Sequence, residues 1–136
     1  MLKIIVFGLN HKSASVDCRE KVAFAPETMV EQLRDAVNKL ALDEVVILST
    51  CNRTEIYLAG EVSDDAIASW LASARKIQPT EIEDHYYCYR GLEAQSQLIK
   101  VASGMDSLIL GEPQIFGQIK SAYAVAVSYT HLTLPT

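Results

Sequence analysis

Residues 45–58 read VVILSTCNRTEIYL and decide the fold, because two strand-like runs flank a polar loop. Residues 45–48 are apolar, and residues 55–58 alternate between polar and apolar side chains, as half-buried strands do. A hairpin with residues 49–55 at its tip is the simplest connection between the two runs. This hairpin would place Cys51 in a polar loop, with Arg53 two residues further along the chain.

The loop carries residue types suited to acyl transfer. A thiol reacts as its thiolate, which a nearby cation stabilises, and Arg53 is the nearest cation in the sequence. The Arg53 guanidinium could instead bind a substrate carboxylate in bidentate fashion. Polar side chains and loop N–H groups could donate to an oxygen that becomes charged. Cysteine is also among the most buried residue types, so a Cys51 that only packs remains an alternative.

Composition bounds the class of protein. The chain has 136 residues, 49% hydrophobic and 21% charged, as expected for one soluble globular domain. The net charge is −5 and the twelve basic residues are scattered, so any RNA would be contacted at a small local site. No apolar run is long enough to span a membrane, and the first residues lead into a strand pattern that is too short for a secretion signal.

The cysteines indicate the redox setting. Cys18, Cys51 and Cys88 are an odd number without CxxC spacing. This pattern favours a reduced, cytoplasmic setting over a disulfide framework or a metal site, and we predict no metal.

Hydrophobic periodicity predicts the remaining elements. Residues 3–9 form a continuous apolar run, consistent with a strand buried on both faces or with a core strand, and residues 10–19 are predicted to be a polar loop. A helix should follow Pro26, and a second should follow the cap Ser63. The first helix is predicted to bury Val30, Leu33, Val37 and Leu40, and the second Ile67, Trp70, Leu71, Ala74 and Ile77.

A fourth strand over residues 86–90, closed by Gly91, completes the order strand, helix, strand, strand, helix, strand. That order predicts an α+β fold, the ferredoxin-like split βαβ plait, with two helices on one face of a four-stranded antiparallel sheet. Cys88 in the fourth strand is predicted to be inert packing.

Further helices are predicted after Gly91. One should run to about residue 102, with Leu92, Leu98, Ile99 and Ala102 facing inward, and another should start near Pro113 after a break at residues 104–111. The glycines of this part form no GxGxxG, so no dinucleotide site is predicted. Residues 128–136, SYTHLTLPT, change character and are interpreted as a tail derived from cloning or sequencing.

Three stretches, in the same order along the chain, resemble glutamyl-tRNA reductase. They are GLNHK at residues 8–12, STCNRTE at residues 49–55, and VASGMDSLILGEPQIFGQIK at residues 101–120. The resemblance is to the N-terminal catalytic domain, implies the same plait, and assigns residues 1–127 to that domain. The NADPH-binding and helical dimerisation domains of the family are expected to be absent from this chain.

The resemblance implies NADPH-dependent reduction of glutamyl-tRNA(Glu) to glutamate 1-semialdehyde, for 5-aminolevulinate and tetrapyrrole (porphyrin) synthesis. A thiolate attacks the ester and leaves a thioester, which NADPH then reduces. Implied partners are the charged tRNA, a second copy of the full-length protein, and the aminomutase that acts next. This chain is expected to form the thioester or hydrolyse the ester, to bind no cofactor and to consume no NADPH.

Matching residue by residue, the resemblance makes Cys51 the nucleophile. The residues implied to bind substrate are Thr50, Asn52, Arg53, Ser107, Glu112, Pro113, Gln114 and Gln118. Arg53 would bind the substrate carboxylate and Glu112 the ammonium, while Pro113 would shape the backbone. From the residues alone, Glu112 would favour a helix start and Ser107 would cap a turn.

One position departs from the family. Much of the family has a histidine where this chain has Gln97, ten positions before Ser107. A glutamine forms hydrogen bonds but does not exchange a proton near neutral pH. His11, in the GLNHK stretch, is the better candidate for acid–base help, because His85 is predicted to lie at the surface.

Two other functions fit the same residues: a non-catalytic plait that binds a ligand, and a generic cysteine hydrolase or redox-sensing domain. A reactive Cys51 favours catalysis or sensing, and a buried, unreactive one favours the binding module. Dependence on glutamyl-tRNA would separate the reductase from generic thiol chemistry.

Overall fold

The structure is a computed structural model that describes residues 4–104. The strands are β1 (Ile4–Asn10), β2 (Glu44–Ser49), β3 (Arg53–Ala59) and β4 (Tyr87–Arg90). The helices are α1 (Val16–Val22), α2 (Met29–Leu40), α3 (Asp64–Ala74) and α4 (Leu92–Gly104), with 3-10 turns at Pro26–Thr28 and Pro79–Glu81.

The four strands form one antiparallel sheet in the order β2-β3-β1-β4. The β1–β3 pairing runs from Ile4 opposite Ala59 to Asn10 opposite Arg53. β2 and β3 pair as a hairpin up to Ser49 opposite Thr54. The predicted α+β class, the four strands and the hairpin around Cys51 are therefore confirmed.

One sheet face forms the main core with α2 and α3. Side chains of alternate strand residues pack there against helix residues such as Leu33 and Leu71. The strand residues of this face are Ile5, Phe7, Leu9, Val45, Ile47, Ile56 and Leu58. Trp70 is the predicted core anchor: its ring stacks on Phe24 and its indole N–H donates to Asp35 at 2.9 Å.

The opposite sheet face is buried as well. Val6, Leu48 and Tyr57 are each at most 1% exposed, although their neighbours in sequence point into the main core. Helix α4 packs against β1 and β4. The prediction that the first strand is buried on both faces is therefore confirmed.

The prediction that residues 10–19 form a loop is wrong in part, because α1 begins at Val16. Ser15 caps this helix by accepting a hydrogen bond from the Cys18 N–H. The helix has seven residues and buries only Val22, so it leaves no apolar period in the sequence.

Three predicted helix faces need correction. In α2, Val30 is 36% exposed, whereas Met29 and Ala36 are buried. The helix begins at Met29, after a separate 3-10 turn at Pro26–Thr28. α3 ends at Ala74, so Ile77 follows it and is only partly buried.

At the start of α4, Leu92 is 80% exposed, whereas Ala94 and Leu98 are buried. The predicted side-chain positions of Ile99 and Ala102, the break at 104–111, the helix near Pro113 and the tail at 128–136 lie outside what the structure describes. Among residues 4–104, no helix is both long and apolar enough to cross a membrane.

Candidate active site

The β2–β3 hairpin holds Cys51 at its tip. The Thr50 N–H donates to the Arg53 carbonyl at 2.7 Å, which closes the loop. The Thr50 hydroxyl accepts from the N–H groups of Asn52 at 3.2 Å and Arg53 at 3.3 Å. Cys51 and Asn52 are both exposed. The thiol is therefore accessible, and the alternative of a purely packing Cys51 does not hold.

The base of the loop is tied to the rest of the chain through Ser49. Its hydroxyl accepts a hydrogen bond from the Phe24 N–H at 3.0 Å and shares another, also of 3.0 Å, with the Thr54 hydroxyl. These contacts fix the start of the loop on a buried part of the domain, so its tip projects from a rigid support.

Arg19 on α1 contacts the loop from the side. Its Nη1 donates to the Ala14 carbonyl at 2.9 Å and its Nε to the Cys51 carbonyl at 3.4 Å. A second guanidinium therefore lies beside the nucleophile candidate. Arg19 is not predictable as a neighbour of Cys51, because α1 buries only Val22 and has no recognisable apolar pattern.

Arg53 begins β3 and forms an ion pair inside the domain. Its Nη1 lies 3.3 Å from Oε1 of Glu55, whose side chain is fully buried, while the Arg53 side chain is 18% exposed. One nitrogen of the fork is thus bound to the protein, and part of the side chain reaches solvent.

Glu55 accepts hydrogen bonds from four side chains. Oε1 accepts from Arg53 and from the Tyr57 hydroxyl at 2.9 Å. Oε2 accepts from the Tyr87 hydroxyl at 2.6 Å and from Gln97 Nε2 at 2.7 Å. We call these five residues the Glu55 cluster. Burial first, and then the charge of Glu55, raise the pKa of Tyr57 and of Tyr87 far above the ordinary tyrosine value.

Gly8 makes room for this cluster. It lies opposite Glu55 in the β1–β3 pairing and opposite Tyr87 in the β1–β4 pairing. A Cβ at this position would lie 2.8 Å from Glu55 Cγ, 2.9 Å from the Thr54 carbonyl oxygen and 2.9 Å from the Tyr87 hydroxyl. Only glycine fits there without displacing its neighbours.

The family follows from comparison with known proteins. The family model described as "Glutamyl-tRNAGlu reductase, N-terminal domain" matches residues 7–134.

This chain belongs to the glutamyl-tRNA reductase family.

Individual relatives agree with the family match. The glutamyl-tRNA reductase of Idiomarina loihiensis is 50% identical over 125 residues, which are 92% of this chain and 30% of that protein. That of Saccharophagus degradans is also 50% identical over 125 residues, 92% of this chain and 29% of that protein. The solved structure of the glutamyl-tRNA reductase from Methanopyrus kandleri is 34% identical with a TM-score of 0.56, over 99% of this chain and 30% of that chain. The chain thus spans roughly a third of the length of these reductases.

The structure brings several predicted positions of this reductase-family chain together. Thr50 and Asn52 adjoin Cys51 in the loop, and the Thr50 hydroxyl is used to shape that loop. Gln97 is joined to Arg53 through Glu55.

The histidines lie at the surface. His11 is exposed in the turn after β1, and the residue before it, Asn10, pairs with Arg53. His11 therefore follows the strand end that lies beside the Cys51 hairpin. His85 is exposed, as predicted.

The other predicted substrate positions, Ser107, Glu112, Pro113, Gln114 and Gln118, lie outside the described residues.

The remaining cysteines differ from Cys51. Burial, followed by a hydrogen bond and charge interaction with Asp64, raises the pKa of Cys88 to about 12. Burial also raises the pKa of Cys18. Both thiols are partly buried, so Cys51 is the exposed one of the three.

The family implies NADPH, and residues 4–104 lack the features of a dinucleotide-binding site. Their sheet is antiparallel, and the glycines after β3 and β4, Gly60 and Gly91, are single residues rather than part of a GxGxxG turn. Within the same residues, no three His, Cys, Asp or Glu side chains come close enough to hold a metal ion.

Proposed function

We propose that this chain performs the acyl-transfer step of glutamyl-tRNA reduction, with Cys51 as the nucleophile. The observation that carries the proposal is that Cys51 is exposed at the tip of a closed hairpin, where its carbonyl accepts a hydrogen bond from Arg19, in a chain of this family. An accessible cysteine sulfur is a suitable nucleophile for an ester carbonyl.

The step conserves electrons and needs no oxidant. The Cys51 thiolate attacks the carbonyl carbon that joins glutamate to the terminal ribose of the tRNA. A C–S bond forms, the C–O bond to the ribose breaks, and the ribose oxygen takes up a proton. The products are free tRNA(Glu) and a glutamyl thioester on Cys51.

The loop residues bind the glutamyl group in this proposal. Arg53 binds the side-chain carboxylate through the part of its guanidinium that Glu55 does not hold. The exposed side chain of Asn52 contributes a further donor, and Thr50 keeps the loop in shape. The GLNHK stretch, which begins with Gly8, forms one side of this proposed site, because Asn10 pairs with Arg53.

We extend the proposal to the substrate-binding positions predicted beyond residue 104. Glu112 binds the substrate ammonium, and Ser107, Gln114 and Gln118 bind its oxygens, with Pro113 shaping the backbone. In the whole reductase, NADPH bound elsewhere completes the reaction to glutamate 1-semialdehyde for tetrapyrrole synthesis in the cytoplasm. The strand order β2-β3-β1-β4 supports a ferredoxin-like plait as the scaffold of the site.

Loss of the ester from glutamyl-tRNA(Glu) tests the proposal. We expect the chain to accelerate deacylation in the absence of NADPH, and Cys51→Ser to reduce that rate to background. Cys18→Ser is the matched control and should keep the wild-type rate, since Cys18 is partly buried outside the loop. Equal rates for the wild-type chain and Cys51→Ser would refute the role of Cys51.

A further inference from the structure

Glu55 is fully buried, yet it belongs neither to the apolar core nor to the loop tip. A buried carboxylate is costly unless it is paired and hydrogen-bonded. Here four donors from β3, β4 and α4 satisfy its two oxygens. An ionised carboxylate accepts all of them at once. Three elements thus converge on one acid that also contacts Arg53.

The contact with Arg53 restricts a long, flexible side chain. A guanidinium is planar, so fixing one terminal nitrogen on Glu55 Oε1 also orients the rest of the fork. The Arg53 side chain is 18% exposed, so part of it is accessible from solvent beside the loop. Preorganisation of this kind reduces the entropy lost when a carboxylate binds.

We propose that Glu55 is the positioning residue for recognition of the substrate's side-chain carboxylate. It holds Arg53 in the orientation that distinguishes a glutamyl from a glutaminyl group, and Tyr57, Tyr87 and Gln97 hold Glu55. This inference rests on the proposed acyl transfer to Cys51. Gln97 acts through Glu55 as a neutral donor, because its amide nitrogen lies 2.7 Å from Oε2.

The test is single-turnover labelling of Cys51 by tRNA(Glu) charged with either glutamate or glutamine. The concentration dependence gives a half-saturating concentration and a maximal rate for each. We expect Glu55→Gln to raise the half-saturating concentration for the glutamyl form about tenfold, the effect of losing one well-placed hydrogen bond to a charged group. The maximal rate should change far less, and the glutaminyl form should be unaffected, since it has no carboxylate for Arg53 to bind.

General damage to the loop would weaken labelling by both forms, so it does not mimic this result. A Glu55→Gln variant that is labelled with the wild-type preference for glutamate overturns the inference alone. A wild-type chain that accepts neither form overturns the proposed function, and the inference with it.

A matched pair of tyrosine variants keeps the test valid if Glu55→Gln does not fold. Tyr87→Phe removes the hydroxyl that donates to Glu55, whereas Tyr89→Phe alters the neighbouring ring, whose centroid lies 5.2 Å from that of Tyr87. We expect folded Tyr87→Phe to lose part of the preference for glutamate and Tyr89→Phe to keep it. Equal preferences in these two variants overturn the inference.

Discussion

Gly8 leaves the space that the buried Glu55 cluster occupies. Its absent side chain lets β1 pass directly over the Glu55 and Tyr87 side chains. The crowding involves the Thr54 backbone as well as the side chains of the Glu55 cluster, so it cannot be relieved by moving one flexible group. Position 8 is therefore specified by packing around the buried acid.

We expect Gly8→Ala to lower the free energy of unfolding by roughly 1–3 kcal/mol, the usual cost of overpacking a buried site. Urea denaturation measures this change. Gly8→Ala combined with Tyr87→Phe should recover part of the loss, because one of the three crowded atoms is the Tyr87 hydroxyl oxygen. A single variant as stable as the wild type would show that the strands separate easily at this point.

The sequence predicts Cys51 and Arg53 at the hairpin tip, but it does not indicate directly that the Glu55 side chain is buried. A charged residue in an alternating strand is usually assigned to the solvent face. The usable signal was the apolar run at residues 3–9, which indicated a strand buried on both faces. The strand that contains Glu55 pairs with this run, and Glu55 is buried on one of the shared faces. Its partner Gln97 could not be placed, since the contact joins residues 42 positions apart.

At the scale of elements, the sequence predicts the four strands and the longer helices, but it does not predict the short helix α1. α3 begins where Ser63 predicted it, and the Ser63 hydroxyl accepts a hydrogen bond from the Ala66 N–H at 3.1 Å. α1 has seven residues and one buried side chain, so tertiary contacts rather than pattern determine it. The spacing predicts Leu92 on a core face, but it is the first residue of α4 and lies in solvent.

The Ser63 cap provides a test at this scale. We expect Ser63→Ala to reduce the free energy of unfolding by about 1 kcal/mol, because the first turn of α3 loses an acceptor. Ser69→Ala, at an exposed position in the middle of the same helix, is the matched control and should change stability by less than about 0.5 kcal/mol. Equal losses for the two variants in urea denaturation would argue against capping.

For the whole molecule, the two sheet faces carry different chemistry. One face is an apolar core with α2 and α3, and the other contains the Glu55 cluster beside α4. The polar face adds protonated tyrosines to the interior, while Cys88 lies partly buried at the edge of the apolar core. Stability should therefore depend on pH in the alkaline range.

Stability should decrease as the pH rises, because the pKa values of Tyr57, Tyr87 and Cys88 are raised in the folded state. Below the ordinary thiol and phenol values, both the folded and unfolded states hold these protons and the groups cause no loss. Above pH about 9–10 the unfolded chain releases them first, so stability falls by up to about 1.4 kcal/mol per pH unit for Tyr57 and for Tyr87, and by less for Cys88, which is partly exposed to solvent. Urea denaturation from about pH 8 to about pH 11 measures the slope.

Tyr87→Phe is the control for this slope, because it removes one of the three groups and should make the decline less steep. Constant stability across the same range would contradict the raised pKa values of these side chains.

The central claim is that Cys51 takes the glutamyl group from its tRNA, and peptide mass spectrometry after mixing with glutamyl-tRNA(Glu) tests it most directly. We expect the mass of one glutamyl group on the peptide that contains Cys51, its removal by neutral hydroxylamine, and no thioester in Cys51→Ser. A glutamyl group found on Cys18 or Cys88, or on no cysteine while the tRNA is still deacylated, would contradict the account.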